Sequence, residues 1–355
     1  MTIEAAPATV KPASVRRSRS LPGAVTIVLA AMLPLAALVS VGLGQYPTPP
    51  AEVVRVVLEH IGGTGGRAAI DTVVWQLRIP RVILAAVVGA ALAVCGAALQ
   101  AVVRNDLADP YLLGVSSGAT LGAALAIASG IGVGATLGAT GGAFVGAILA
   151  LVLVLALVGG GRQLSGSRLV LAGLIVGYFL SAATNLVVTL SDDRDAIRSV
   201  LFWSLGSLTL ASWGDLALVT ATTVAAVVLF TVWGRRLDAV GLGDDVARSL
   251  GTDPSRLRLQ VTVVAAVTIA AAVAVSGAIG FVGLIVPHLT RRLVGAGHRR
   301  LMPASALLGA LVLVVADALA RTVLAPREIP LGVLTALVGT PLLMLLMYRR
   351  RQSPS

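Results

Sequence analysis

Three arginines are the side chains whose type and position best fit a chemical role. Arg78, Arg81 and Arg321 each lie at an end of a long apolar run. A guanidinium donates two parallel hydrogen bonds to a carboxylate, so exposed arginines here would suit docking of an acidic protein surface. Two alternatives stay open. The arginines could snorkel from the ends of membrane spans, or Arg321 could pair with Asp317 one helical turn earlier.

A second candidate site is the segment GLGDDVARSLG at residues 241–251. Asp244 and Asp245 favour the start of a short helix, because carboxylates stabilise the positive end of a helix. Gly251, followed by Pro254, favours its end. A short helix between arginine-rich flanks would fit a docking knob for another protein, and a solvated loop is the alternative.

Motifs for catalysis, nucleotide binding and metal binding do not stand out in the sequence. It contains no GxxxxGK[ST] phosphate loop, and its three histidines are far apart. No Cys, His, Asp or Glu cluster has the spacing of metal ligands. We therefore expect no catalytic residue, no metal site and no cofactor in this chain. A conduit that takes its energy from a partner fits these absences best.

The composition indicates that lipid surrounds most of the chain. Of its 355 residues, 57% are hydrophobic and 12% are charged, whereas a soluble domain carries about 25% charged residues. A helix of about 20 apolar residues spans the hydrocarbon core of a bilayer. Ten candidate runs cover residues 23–44, 82–103, 112–130, 135–158, 169–190, 214–233, 259–277, 279–294, 303–322 and 330–348. None alternates with a period of two, so we predict an all-α, polytopic membrane protein with about ten transmembrane helices. The eighth run is short and contains Pro287.

The basic residues indicate an orientation for these helices. With the N-terminus in the cytoplasm, nineteen of the 27 lysines and arginines lie inside and eight outside, which fits the positive-inside rule. Both termini are then cytoplasmic. The net charge of +11 needs no nucleic-acid partner, since no aromatic side chains accompany it in a surface pattern. The first run is longer than the roughly 7–15 residues of a signal-peptide core, so we interpret it as a retained span.

The chain divides into one large domain and two short tails. Residues 1–20 are rich in serine and arginine and predict a disordered cytoplasmic tail. Residues 21–348 form one transmembrane domain with its longest inner loop at 234–258, and residues 349–355 form a cytoplasmic tail. In the fifth span, Ser181, Thr184 and Asn185 share a helical face. They could line a path or join helices by hydrogen bonds.

Several segments in fixed order carry a family resemblance. They are LRIPR at 77–81, RNDLADPYLLGVSSGA at 104–119, SGSRLVLAG at 165–173, GLGDDVARSLG at 241–251, SGAIGFVGLIVPHLTR at 276–291, ADALAR at 316–321 and EIPLGVLTALVGTP at 328–341. With these segments the chain resembles the FecCD-type permeases of ABC importers, which take up iron–siderophores, haem and vitamin B12. Asp106 departs from the pattern, since the family usually has Pro at this position.

The resemblance implies a fold and a set of partners. The fold is that of the vitamin B12 permease, a type II importer. The partners are a second permease (another copy or a sister chain), two cytoplasmic ATP-binding subunits that use ATP and Mg²⁺, an extracytoplasmic substrate-binding protein and the lipid bilayer. The location is the cytoplasmic membrane of a prokaryote.

The resemblance also implies roles for matched residues. Arg78, Arg81 and Arg321 match arginines that meet acidic residues of the binding protein. Ser165, Gly166 and Ser167 match a cytoplasmic gate. The residues that match the segment fitting a groove on the ATPase are Leu242, Gly243, Asp244, Asp245, Ala247, Arg248, Leu250 and Gly251.

The expected function is import of iron–siderophore complexes, with haem or vitamin B12 as alternative cargoes of the same importer class. A secondary transporter is a further alternative, but the sequence places no acidic residue deep in a span to couple an ion gradient.

Overall fold

The computed structural model describes residues 22–44, 47–63, 69–130, 136–159 and 164–351. Across these ranges the chain is helical and contains no strand. The N-terminal tail predicted at residues 1–20 lies outside them, as do residues 352–355 of the C-terminal tail.

The helices follow one another with short connections. They are α1 (Pro22–Gly42), α2 (Pro50–Ile61), α3 (Ala69–Asp71), α4 (Ile79–Val103), α5 (Val115–Ala128), α6 (Thr136–Val158), α7 (Gly166–Leu190), α8 (Arg194–Ser204), α9 (Trp213–Val232), α10 (Gly234–Leu242), α11 (Asp244–Ser249), α12 (Pro254–Ser276), α13 (Val282–Val294), α14 (His298–Thr322) and α15 (Leu331–Arg351). A π-helical turn over Thr72–Arg78 joins α3 to α4.

Each of the ten predicted spans corresponds to a helix, which confirms the all-α membrane fold. Among the described residues, seven helical stretches are long and apolar enough to cross a bilayer. The helices α5 and α13 and the apolar part of α15 are shorter. Helix α13 has 13 residues and contains Pro287. Both features agree with the short eighth run in the sequence, which contains the same proline.

Helix α4 is the central element of the bundle. Within the stretch Ala69–Val103, 78% of the 18 most apolar consecutive residues are buried in the bundle. At Gly89 the backbone of α14 approaches so closely that a Cβ atom would overlap the carbonyl of Gly309, and the reverse holds at Gly309. Glycine pairs also join α5 to α6. Small residues let membrane helices pack at backbone distance, so these glycines fix which helices are neighbours.

A break separates α12 from α13. Gly277 and Phe281 both have positive φ values, of 65° and 69°. The Tyr111 hydroxyl donates to the Ile279 carbonyl at 3.0 Å and accepts from the Ile279 amide at 2.9 Å. These bonds satisfy backbone groups that a non-helical segment would otherwise leave unpaired in the bundle.

The two ends of α4 define the two sites described below. Its 25 residues span roughly 35 Å at 1.5 Å per residue. Arg81 lies in its first turn, and Val102 lies in its last, beside Arg258 of α12. We call these regions the Arg81 end and the Arg258 end.

Candidate functional site

Arg81 is the centre of a charged cluster at its end of the bundle. Its Nε donates to Asp317 Oδ1 of α14 at 2.9 Å. Its two terminal nitrogens donate to the two oxygens of Glu328, at 3.1 and 2.9 Å. The guanidinium is thus held by two carboxylates, the fully buried Asp317 and the partly exposed Glu328.

Arg321 and Arg78 extend this cluster towards α1. Arg321 pairs with Asp317 Oδ2 at 3.0 Å, so the predicted i,i+4 pair is confirmed. It also donates to the Ser40 carbonyl and hydroxyl and to the Leu43 carbonyl. Arg78 donates to the Val41 carbonyl at 3.0 Å and to Thr48 Oγ1 at 3.1 Å. Both arginines therefore supply donors to the end of α1.

The structure brings the three predicted arginines together but corrects their exposure. Arg78, Arg81 and Arg321 are only 7–8% exposed, whereas the sequence predicts exposed side chains. The reason is local: carbonyls at the end of α1 and two carboxylates, Asp317 and Glu328, accept their hydrogen bonds within the chain. Glu328 balances part of this charge, a role that the sequence alone does not predict. Its place in the EIPLG segment, beside an otherwise apolar run, was the available signal.

Glu328 is ionised in this setting. Burial alone would raise the pKa of its carboxyl, but hydrogen bonds from Arg81 and Thr209 and the nearby positive charges lower the pKa below its usual range. The Arg81–Glu328 fork is consequently a charge-assisted pair with two parallel bonds, which is the strong form of this interaction.

A cavity of about 780 Å³ lies beside this cluster. Glu328 is in its wall together with Thr209, and α8 contributes Phe202 and Trp203. The volume falls within the range of about 300–1,000 Å³ that is usual for ligand pockets. Its lining combines aromatic, hydroxyl and carboxylate groups, so this end of the bundle offers a concave surface of mixed polarity.

The predicted coupling segment forms a projecting helix at the opposite end. Helix α11 covers Asp244–Ser249, as the two aspartates and Gly251 predict. Gly243, which separates it from α10, has a φ value of 126°, a conformation that favours glycine. Ala247 is completely buried and anchors the helix. The predicted coupling residues with exposed side chains are Leu242, Asp245, Arg248 and Leu250.

Arg258 holds this helix to the bundle. Its guanidinium donates to both oxygens of Asp244, at 2.6 and 2.9 Å. It also donates to the Val102 carbonyl and the Leu164 carbonyl, each at 3.0 Å. The residue is 1% exposed, and the hydrogen bond from Arg258 is the main reason why the pKa of Asp244 is lowered. The sequence alone indicates only that Arg258 is one of the nineteen basic residues on the predicted inner side.

The predicted gate residues lie directly beside this contact. Ser165 follows Leu164 and caps α7, where its hydroxyl accepts from the Arg168 amide at 3.4 Å. Gly166 is packed against the backbone of Val103 so closely that a side chain would not fit. Ser167 is exposed, and its hydroxyl is 3.2 Å from that of Ser165. The segment therefore joins the start of α7 to the end of α4.

The three polar residues of the fifth span have different surroundings. The Ser181 hydroxyl donates to Ser117 of α5 at 3.2 Å, which is the interhelical bond that one interpretation predicts. Thr184 is buried and donates to the Leu180 carbonyl of its own helix. Asn185 is exposed. Path lining stays a prediction for all three; Ser181 and Asn185 are exposed, whereas Thr184 is buried.

Asp106, the residue that departs from the resembled pattern, forms an ion pair with Arg291 of α13 at 3.3 Å. It lies in the connection after α4. This pair ties that connection to α13, so the substituted position has a partner of its own.

Comparison with known proteins identifies the family. The FecCD transport family model matches residues 32–349. The hemin transport system permease of Yersinia pestis is 42% identical over 285 residues, covering 79% of this chain and 85% of that protein. An Fe(3+)-citrate import system permease of Bacillus subtilis is 37% identical over 279 residues, covering 79% and 82%.

A solved structure has the same fold as this chain. It is an inward-facing conformation of a metal-chelate type ABC transporter, with a TM-score of 0.81 and 31% identity. It covers 92% of this chain and 99% of its own. With the family match and the relatives, this likeness shows that the chain belongs to the FecCD transport family and is a multi-pass membrane permease of the ABC importer class.

Proposed function

We propose that this chain is the membrane-spanning subunit of an ATP-driven importer that moves iron–siderophore complexes into the cytoplasm. It works with a second permease, either a copy of itself or a sister chain, with two ATP-binding subunits and with an extracytoplasmic substrate-binding protein. The Arg258 end faces the cytoplasm and the Arg81 end faces outward, in keeping with the excess of basic residues on the former side.

The exposed helix α11 is the observation that carries the proposal. This six-residue helix exposes Asp245 and Arg248, and the leucines that flank it, Leu242 and Leu250, are exposed as well. Helix α11 and its flanking leucines supply a small surface, partly apolar and partly charged, that the ATP-binding subunit can bind. Because Ala247 and Asp244 fix it to the bundle, a movement of the partner would pull on the transmembrane helices.

Docking of the binding protein is proposed at the Arg81 end. Since Arg81 is already held by Glu328, an acidic side chain of the binding protein would have to replace the partly exposed Glu328 on the guanidinium. The buried Asp317 would stay in place and keep the arginine oriented. Arg78 and Arg321 would shape this surface through their bonds to α1.

The transport cycle follows from these two ends. A loaded binding protein docks at the Arg81 end and releases its cargo towards the bundle. ATP binding in the partner moves α11, and the helices rock between outward-facing and inward-facing states. A siderophore already surrounds its iron, so the path needs no metal ligands of its own.

Iron–siderophore complexes are proposed as cargo because related permeases are named for iron chelates, Fe(3+)-citrate and hemin. Relatives at 34% and 38% identity are named for molybdate and vitamin B12 import. The test is uptake of labelled ferric siderophore, haem and vitamin B12 by cells lacking this chain. Loss of siderophore uptake alone supports the proposal, and loss of haem or vitamin B12 uptake alone replaces the cargo.

The coupling role has a separate test with a matched control. Leu250 in the coupling segment and Leu58 in α2 are equally exposed, at 63% each. We expect Leu250→Asp to reduce co-purification of the ATP-binding subunit at least fivefold, because a charge would replace an apolar contact. Leu58→Asp should leave it unchanged. Equal retention of the ATP-binding subunit by both variants, together with undiminished uptake by Gly243→Ala and Arg248→Ala, would contradict the coupling role.

A further inference from the structure

We propose that Arg258 is the positioning residue that transmits movement of α11 to the gate segment, which comprises Leu164 and the predicted gate residues 165–167. The inference rests on the proposed coupling function of α11 and on the predicted gate role of Ser165, Gly166 and Ser167. It goes beyond that function because it names the connection inside the chain between the surface that the ATP-binding subunit would hold and the start of α7.

One guanidinium joins three separate elements. Two of its bonds go to Asp244 at the start of α11, one goes to Val102 at the end of α4, and one goes to Leu164 immediately before the gate. These partners lie 14, 156 and 94 residues away in sequence. The planar fork of arginine is suited to such simultaneous bonds, whereas the single ammonium of lysine is not.

Burial makes the connection stiff. The Arg258 side chain is 2% exposed, so water cannot readily replace a lost partner. A buried charge that loses its partner is strongly destabilising. Helix α11 therefore cannot move away from the bundle alone: either Arg258 moves with it and pulls on Leu164 and Val102, or two charge-assisted bonds break.

The gate segment is packed against the end of α4, so it would move together with Leu164 and Val102. Gly166 contacts the Val103 backbone with no room for a side chain, so the start of α7 and the end of α4 are in direct contact. Ser165 caps α7. A displacement of Leu164 would consequently move the first turn of α7, which is a membrane-spanning helix.

A neighbouring ion pair offers matched controls in charge and location. Arg256 lies half a turn from Arg258, is 85% exposed and pairs with Asp253, which is 52% exposed and lies three residues earlier. Both residues of this pair belong to the start of α12. A second basic residue, Arg104, lies 3.7 Å from Asp244 Oδ1, but its side chain is 47% exposed, so water can replace this longer contact.

The experiment uses the complete importer in lipid nanodiscs and proteoliposomes. The variants are Asp244→Asn, Asp244→Glu and Arg258→Lys, with Asp253→Asn and Arg256→Gln as controls; Asn can cap α12 as Asp253 does. The single cysteine, Cys95, is buried, so Cys95→Ala combined with Ser165→Cys gives one reporter thiol at the gate. Three quantities are measured: the ATPase rate, the ATP-dependent transport rate, and the change in thiol labelling on ATP binding.

We expect the variants that break the Arg258 contacts to lose transport while they keep assembly with the ATP-binding subunit. In Asp244→Asn, the ATP-binding subunit stays bound and ATPase activity stays within twofold of the parent. Transport falls at least tenfold, and the ATP-dependent change in labelling of the Ser165→Cys thiol is lost. Asp244→Glu retains most of the transport and most of the labelling change, because its carboxylate can still accept two hydrogen bonds from Arg258. Arg258→Lys loses transport because it keeps the charge but not the carbonyl bonds, and the two controls behave as the parent.

Two results would overturn the inference. One is parental transport and labelling in both Asp244→Asn and Arg258→Lys. The other is loss of ATPase activity and transport in equal proportion in Asp244→Asn, because that would make Asp244 a docking or folding residue. If the unmodified importer itself shows no ATP-driven transport, the proposed function fails and the inference fails with it, which the parent protein reveals before any variant is compared.

Discussion

The two ends of the bundle both hold a buried arginine in a carboxylate fork, yet they join different kinds of elements. At the Arg81 end, Arg81 of α4 and Arg321 of α14 meet around Asp317, and Arg321 also donates to the end of α1. All three helices are long and apolar enough to cross a membrane. At the Arg258 end, the fork holds α11, a helix of six residues with mostly exposed neighbours.

This difference indicates two uses of the same chemistry. At the Arg81 end, three long helices are joined through arginines that surround one buried carboxylate, Asp317, and we call this arrangement a clamp. A short helix fixed to a buried arginine forms a handle, since Arg258 also donates to the carbonyl of Leu164, next to the predicted gate residues. We infer that α1, α4 and α14 stay joined to one another at the Arg81 end during transport, while α11 moves at the Arg258 end.

The largest expected effect would come from Asp317→Asn. Asp317 is completely buried between Arg81 and Arg321. Removing its charge leaves two guanidiniums without their shared partner, at a cost of roughly 3–5 kcal/mol. We expect the folded yield in detergent, measured by fluorescence size-exclusion chromatography, to fall severely.

Asp244→Asn is the matched variant at the other end. Asp244 is 29% exposed, and the amide oxygen of the introduced Asn can still accept one hydrogen bond from Arg258, so we expect the folded yield to fall less than in Asp317→Asn. Equal yields for the two variants would remove the distinction between a clamp and a handle.

A smaller effect is expected from Glu328→Gln on binding-protein affinity. The change removes the internal competitor for Arg81 but leaves Asp317 in place. We expect docking to strengthen about fivefold, which corresponds to about 1 kcal/mol. Binding of the loaded substrate-binding protein to nanodiscs, measured by surface plasmon resonance, checks this. Thr209→Val removes a hydrogen bond to the same carboxylate without changing charge and serves as the control. An unchanged or weaker affinity in Glu328→Gln would contradict docking on Arg81.

The smallest expected effect is that of pH between 8 and 5. Arg258 lowers the pKa of Asp244 in the folded protein, below its ordinary value of about 4. A lowered carboxyl pKa contributes stability above the unfolded-state pKa, and this contribution is lost only as the pH falls through the folded-state pKa. The difference in Tm between the parent and Asp244→Asn should therefore be constant from pH 8 to 5 and shrink below about pH 4. A decrease between pH 8 and 6 would show that another group titrates at this contact.

The sequence predicts the elements of this molecule better than their pairing. Apolar runs locate every span because membrane helices must satisfy their own backbone, and the aspartates with Gly251 locate α11. The exposure of Arg81 could not be predicted, since it depends on Asp317 and Glu328, more than 230 residues away. Arg258 was missed for the same reason. Nothing in its local sequence shows that it meets Val102 and Leu164.

In the proposed importer, ATP hydrolysis in a partner subunit, rather than an ion gradient, drives import through this chain. Uptake of ferric siderophore by cells that depend on this chain tests this, after either ATP depletion or collapse of the proton gradient at constant ATP. We expect uptake to stop on ATP depletion and to continue when only the gradient is lost. Uptake that survives ATP depletion and stops with the gradient would contradict this expectation and would favour a secondary transporter.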